Sequence, residues 1–149
     1  MPRSDEDQVL LRLARAVTGI STRDADRLGG VSVVQLRALT VLSLLEGEAN
    51  LGRLADGMGV AVSTASRLVD RLVRAGFVDR RPSSRSRREV SLALTPAGQE
   101  LLDRYDGLRL QSLRTALDEL PEGARSDVAR ALAAYATALG ALPAGEKTG

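Results

Sequence analysis

Apolar residues recur at spacings of three and four along most of the chain, which is the period of a helix with one buried face. Over residues 5–27 the stripe is Leu10, Leu13, Val17 and Ile20. Ser4 stands before it as a cap, and Asp5, Glu6 and Asp7 suit the positive end of the helix dipole. Gly29 and Gly30 end this segment. Ser32 then opens a second helix, about 33–46, with Val34, Ala38, Val41 and Leu45 on one face and Leu39 and Leu42 beside it. Asn50 caps a short third helix, LGRLADGM, whose inner face is Leu51, Leu54, Ala55 and Met58. Gly59 makes a tight turn, and a fourth helix runs from Ala61 to Ala75 on Val62, Ala65, Leu68, Val69 and Leu72, with Gly76 as its terminal glycine.

The period changes after Gly76. FVDR (77–80) reads as a short strand, and Val90, Leu92 and Leu94 alternate along a second. Together they predict a hairpin with a long loop. Thr95 and Pro96 start a fifth helix, 96–119, with Leu101, Tyr105, Leu108, Leu110, Leu113, Leu117 and Leu120. Pro121 breaks it. A sixth helix, 122–141, carries Val128, Leu132, Tyr135, Leu139 and Leu142. The tail 143–149 has no apolar period and reads as disordered. The expected fold is mainly α with a small β-hairpin.

Composition narrows the chemistry. The 149 residues contain no cysteine and no histidine, which removes thiol chemistry, the commonest general base and the commonest transition-metal ligand. No motif of serine or carboxylates replaces them, so an enzyme is not expected, and no cofactor or metal is called for. The start MPRSDEDQ lacks an apolar signal run, and no segment reaches the length of a membrane span. The expectation is a soluble cytoplasmic protein without a membrane partner.

Charge is unevenly placed. Nine arginines (53, 67, 71, 74, 80, 81, 85, 87 and 88) face three acids (Asp56, Asp70 and Asp79) between residues 53 and 88. That centre is +6 within a chain whose net charge is +2, which leaves −4 elsewhere. A focused basic region suits a polyanion, with double-stranded DNA the first candidate. A solvated charged face explains many such runs, so position decides. Two helices joined by a glycine turn make a helix-turn-helix. The outward face of the second is Ser63, Thr64, Arg67, Asp70, Arg71 and Arg74. Hydroxyls near the helix start and arginines behind them fit a recognition helix, whose first turns approach base edges. Arg71 and Arg74 suit phosphates or a pairing with Asp70. The hairpin loop RRPSSRSRR brings Arg85, Arg87 and Arg88 beside that helix, within reach of a neighbouring minor groove.

These segments together, SVVQLRALTVL, LGRLADGMGVAVSTASRLVDRLVRAGFVDRR and the closing LTPAG, resemble the multiple antibiotic resistance regulator (MarR) family of winged helix-turn-helix transcription factors. The resemblance is densest from Ser32 to Gly98 and extends through nearly the whole chain. It implies a homodimer with interlocked terminal helices, a pseudo-palindromic operator, and a small-molecule effector of unspecified identity that usually relieves repression. Matched position by position, Ser63, Thr64 and Arg67 fall on the family's recognition-helix contacts, and Arg88 falls on its wing arginine. Ser32 and Gln35 begin a helix that lies near the DNA backbone in the family. Two departures stand out. Ser86 occupies the place of the usual wing aspartate, which predicts a looser and more cationic wing. Ala61 occupies the place of the usual capping serine.

The resulting organisation is an N-terminal dimerisation helix (1–31), a winged helix-turn-helix lobe (32–95), C-terminal dimerisation helices (96–142) and a tail (143–149). Leu10, Leu13, Val17, Leu113, Leu117, Leu132, Tyr135 and Leu139 are the candidate dimer contacts, because one small lobe has too little surface to cover such long stripes. Packing within a single subunit is the alternative. The tyrosines 105 and 135 read as packing residues. With so few rings, an effector pocket would be aliphatic, with Arg12 or Arg15 facing it, and the sequence also leaves open that there is no effector. The rival function is a winged-helix interaction module whose basic face holds an acidic protein partner.

Overall fold

A computed structural model describes residues 4–140. The elements are α1 (Asp5–Leu28), α2 (Val33–Leu44), α3 (Leu51–Met58), α4 (Val62–Arg74), β1 (Val78–Pro82), β2 (Val90–Leu94), α5 (Pro96–Asp118) and α6 (Glu122–Gly140). Order and type are those the periodicity predicts, and the mainly helical fold with its small hairpin is present. The sixth helix's Leu142 and the tail 143–149 lie outside the described residues.

Capping explains where the helices begin. The Ser4 hydroxyl accepts from the Asp7 N–H at 3.1 Å, while the Asp7 carboxylate accepts from the Ser4 N–H at 3.2 Å. Ser32 and Gln35 form the same reciprocal box at the start of α2. The Asn50 side chain accepts from the Arg53 N–H at 2.9 Å and starts α3. Gly59, at φ 67° and ψ 35°, is left-handed and lets the chain reverse between α3 and α4.

The core forms where α2, α3, α4 and the hairpin meet. Leu36, Leu39, Leu54, Val69, Leu72 and Val78 are fully buried there. Leu101 and Tyr105 of α5 and Ala25 of α1 extend it. The face of α2 differs from the expectation. Val34 is 56% exposed, whereas Leu36, Ala38, Leu39 and Leu42 are buried. The sequence of α2 is apolar nearly all round, so its period cannot select a face; the position of α4 and α5 does. Val62 departs too, being half exposed as the first residue of α4.

The hairpin pairs antiparallel from Val78 opposite Leu94 to Pro82 opposite Val90. A further bridge joins Ala49, in the α2–α3 loop, to Leu92, whose N–H donates to the Ala49 carbonyl at 2.8 Å. The hydrophobic pattern carried no hint of this bridge.

The LTPAG segment ties α5 to the end of α4. The Thr95 hydroxyl donates to the Gly76 carbonyl at 2.6 Å and accepts from the Gly98 N–H at 3.0 Å. A Cβ on Gly98 would sit 2.1 Å from the Phe77 carbonyl oxygen, so the backbones meet only because residue 98 has no side chain. Further along, the Tyr105 hydroxyl donates to the Ser21 carbonyl at 3.1 Å and fixes α1 against α5.

Gly98→Ala is expected to destabilise the fold by about 1–3 kcal/mol through overpacking against backbone. Gly107→Ala, on the same helix with nothing within 4 Å of the added atom, is expected to stabilise by about 0.5–1 kcal/mol. Denaturant melts at one protein concentration compare the two.

Candidate nucleic-acid interface

Packing on one side of α4 decides what the other side offers. Ala65, Leu68, Val69 and Leu72 are buried, so Ser63, Thr64, Arg67, Arg71 and Arg74 face outward. The predicted recognition face is therefore a single exposed surface. The N-cap, Ala61, makes no side-chain hydrogen bond, so the first-turn N–H groups of α4 have no side-chain acceptor. Val34, Thr64, Arg67, Leu68 and Arg71 line an open hollow of about 230 Å³ on this face.

The nine central arginines divide into two sets. Arg53 is structural: its guanidinium donates to the Glu46 and Glu48 carbonyls at 2.8 and 2.7 Å. Arg80 pairs with Asp70, which ties the hairpin to α4. Arg81 lies 3.6 Å from Asp79, and Arg74 donates to the Asp70 carbonyl at 3.2 Å. Arg67 and Arg71 of α4, and Arg85, Arg87 and Arg88 of the loop, have no carboxylate within 4 Å among the described residues. The Asp70 carboxylate is taken by Arg80, so of the two roles considered for Arg71 and Arg74 the pairing with Asp70 is not made.

Ser32 and Gln35 hold the start of α2 through their capping box, yet each keeps donors in reserve. The Ser32 hydroxyl proton and the Gln35 amide hydrogens have no acceptor among the described residues. Both therefore remain able to donate to a phosphate.

The loop from Ser83 to Glu89 is ordered by its own hydrogen bonds. The Ser83 N–H donates to the Glu89 carbonyl at 3.1 Å, and the Glu89 N–H to the Ser86 carbonyl at 3.2 Å. The Ser83 hydroxyl accepts from the Arg85 N–H at 3.1 Å, and the Ser86 hydroxyl from the Arg88 N–H at 3.2 Å. Ser86, where an acid was expected, thus braces the backbone of Arg88 and not its guanidinium. A second brace comes from outside the wing. The Glu48 carboxylate accepts from the Ser83 hydroxyl at 2.7 Å and from the Ser84 N–H at 2.8 Å. The expectation of an unbraced loop is corrected by these contacts. The Ser84 N–H, then the Ser83 hydroxyl, hold the Glu48 carboxyl below its ordinary pKa, with the Arg85 charge assisting against partial burial. Its ionised, accepting form is thus present at neutral pH and is lost only as pH falls through that lowered value.

The proposed dimer contacts are uncovered in the single chain. Leu10, Leu13, Val17, Leu113, Leu132, Tyr135 and Leu139 are each more than a third exposed, Leu117 is half-buried, and α6 buries no residue at all. Tyr105 is a core residue, as its spacing predicted, but Tyr135 is not covered within one subunit. Two hollows beside α5 carry arginines. One, about 260 Å³, is lined by Ser21, Val33, Arg37, Thr40, Tyr105 and Arg109. The other, about 450 Å³, includes Arg23, Arg27 and Ser112.

Beneath the second hollow lies a feature the hydrophobic pattern missed. Asp24 is fully buried between α1 and α5. The Ser112 hydroxyl donates to it at 3.3 Å, and the Arg23 and Arg27 guanidinium groups lie 3.6 and 3.8 Å away.

Comparison with known proteins agrees with this geometry. The MarR family model matches residues 31–90. The crystal structure of RV1404 from Mycobacterium tuberculosis is 31% identical, with a TM-score of 0.79 over 93% of this chain and 96% of that one. A MarR family protein from Bacillus stearothermophilus is 23% identical, with a TM-score of 0.74 over 92% and 99%. A point mutant of MepR from S. aureus, bound to an oligodeoxyribonucleotide, is 15% identical and shares the fold at a TM-score of 0.69 over 92% and 99%. No curated protein matches the chain.

Ala61→Ser is expected to supply the missing cap on α4 and to raise stability by about 1 kcal/mol, read as a higher denaturation midpoint with unchanged slope.

Proposed function

The chain belongs to the MarR family of transcription regulators, and from that premise we propose a homodimeric repressor that binds a pseudo-palindromic operator and is relieved by a small ligand. The observation that carries the DNA-binding part is the set of five guanidinium groups on α4 and the adjoining loop that make no carboxylate ion pair among the described residues, beside an α4 start that no side chain caps. Ser63, Thr64 and Arg67 read base edges, while Arg71 and Arg74 neutralise phosphates. Arg85, Arg87 and Arg88 follow the backbone into a minor groove. Ser32 and Gln35 donate to the backbone from the start of α2. The oligodeoxyribonucleotide bound to the MepR mutant supports DNA binding by a protein of this fold.

Residues 32–95 form the DNA-binding lobe in this reading, and residues 1–31 and 96–142 join two copies. The exposed apolar stripes of α1, α5 and α6 support that division. Two lobes then present their α4 helices about one DNA turn apart, and a ligand that alters the dimer geometry alters affinity. No single described helix is long and apolar enough to cross a membrane, which suits a cytoplasmic regulator.

Selection from a random duplex library is expected to enrich an inverted repeat; no enrichment would favour an interaction module with an acidic protein partner. On the enriched duplex, Arg88→Ala is expected to weaken binding and to reduce the dependence of log affinity on log salt by about one unit. Tyr135→Glu combined with Leu139→Glu is expected to shift the protein from dimer to monomer in sedimentation, and an unchanged mass would remove α6 from the interface.

A further inference from the structure

Glu48 lies outside both α4 and the wing, yet it makes two of the hydrogen bonds that hold the wing loop. Its carboxylate spans the Ser83 hydroxyl and the Ser84 N–H at 2.7 and 2.8 Å, partners 35 and 36 positions further along the chain. Both bonds are to an ionised acceptor, the stronger class of hydrogen bond. Glu48 is itself held. Its carbonyl and that of Glu46 accept from Arg53 of α3, and the next residue, Ala49, is bridged to Leu92 of β2. A continuous chain of contacts therefore runs from α3 through the α2–α3 loop into the wing. Arg85 is the next link, because its N–H donates to the same Ser83 hydroxyl that Glu48 accepts from. The crevice between Glu48 and the wing is also lined by Arg53, Arg85 and Glu89, so Glu48 faces both guanidinium groups and one further acid there.

We propose that Glu48 is a positioning residue for DNA binding, fixing from the α2–α3 loop where Arg85, Arg87 and Arg88 meet the duplex. The inference rests on the DNA-binding reading above and adds a residue to it. The physical reason is preorganisation. The loop from Ser83 to Glu89 is polar throughout, with no apolar side chain to pack it down. Such a loop loses conformational freedom on binding unless something has already ordered it. Within the wing, the Ser86 hydroxyl reaches only the Arg88 backbone. Glu48 supplies an anchoring carboxylate at the opposite end of the loop. Because it accepts from a hydroxyl and a backbone N–H, it orders the loop without neutralising any of the three guanidinium groups by a direct ion pair.

The test uses full-length Glu48→Ala and Ser83→Ala proteins and the duplex most enriched by the wild type. Glu48→Ala is expected to bind about tenfold more weakly. Its effect is expected to overlap with that of Arg88→Ala, the double variant losing less than the product of the single losses, and to multiply with that of Arg67→Ala. Without DNA, trypsin is expected to cut after Arg85, Arg87 or Arg88 several times faster in Glu48→Ala than in wild type at equal melting temperature. If Glu48→Ala melts early, Ser83→Ala carries the same comparisons from within the loop. Wild-type affinity, independent effects of Glu48→Ala and Arg88→Ala, or unchanged cleavage would each overturn the proposal while leaving the DNA-binding reading intact. A wild type that enriches no duplex would overturn that reading, and faster cleavage would then leave Glu48 as a loop anchor only.

Discussion

Four side chains on one side of α4, Ala65, Leu68, Val69 and Leu72, meet the inner faces of α2 and α3, and that contact sets the rotation of α4. Each of the larger three contributes about 1.5–3 kcal/mol on full burial, far more than any surface pairing nearby. Rotating α4 by one residue would bury Arg67 or Asp70 and expose a leucine. With the rotation fixed, the outer face follows, and Asp70 comes to lie where Arg80 of β1 can reach it. The wing is thereby attached to the helix it flanks.

Arginine is abundant in the centre of this chain, but its roles are divided by what lies nearby. Arg53 meets two carbonyls of the α2–α3 loop, and Arg80 and Arg81 meet aspartates. Those contacts are local supports. The arginines that project from the outer turns of α4 and from the loop make no direct carboxylate ion pair among the described residues, and a polyanion can complete them. Charge count alone treats these two sets as one. Their separation also means that phosphate binding does not have to break the pairs that hold the wing to α4.

The seam between α1 and α5 follows a different logic. Tyr105 of α5 bonds across to the Ser21 carbonyl of α1. Asp24 is buried beside them with one hydroxyl donor and two guanidinium groups at ion-pair distance. Burying a carboxylate is costly, and here only Oδ2 takes a hydrogen bond; Oδ1 has both guanidinium groups near it but no hydrogen-bond donor among the described residues. The seam therefore fixes how α1 and α5 leave the lobe. In contrast, α6 buries no residue, and Arg125 ties its start to the Leu120 and Asp118 carbonyls at the end of α5.

The helices, their caps and the hairpin were legible in the sequence because the signals are short-range. An apolar stripe repeats within four residues, a capping box closes over three, and a left-handed glycine acts at one position. The outward face of α4 was legible for the same reason, since its period is clean. The face of α2 was not, because a helix apolar on all sides is oriented by its neighbours and not by its own pattern. Nor was the anchoring of RRPSSRSRR, the loop that a missing wing acid made to look loose. Its anchor is a glutamate 35 residues upstream, and hydrogen bonds of that reach exist only once α3, the α2–α3 loop and β2 have been brought together. The sequence by itself determined which segments form and which carry positive charge. The tertiary structure decided which of those charges are already satisfied, because pairing depends on distance in space and not on distance along the chain.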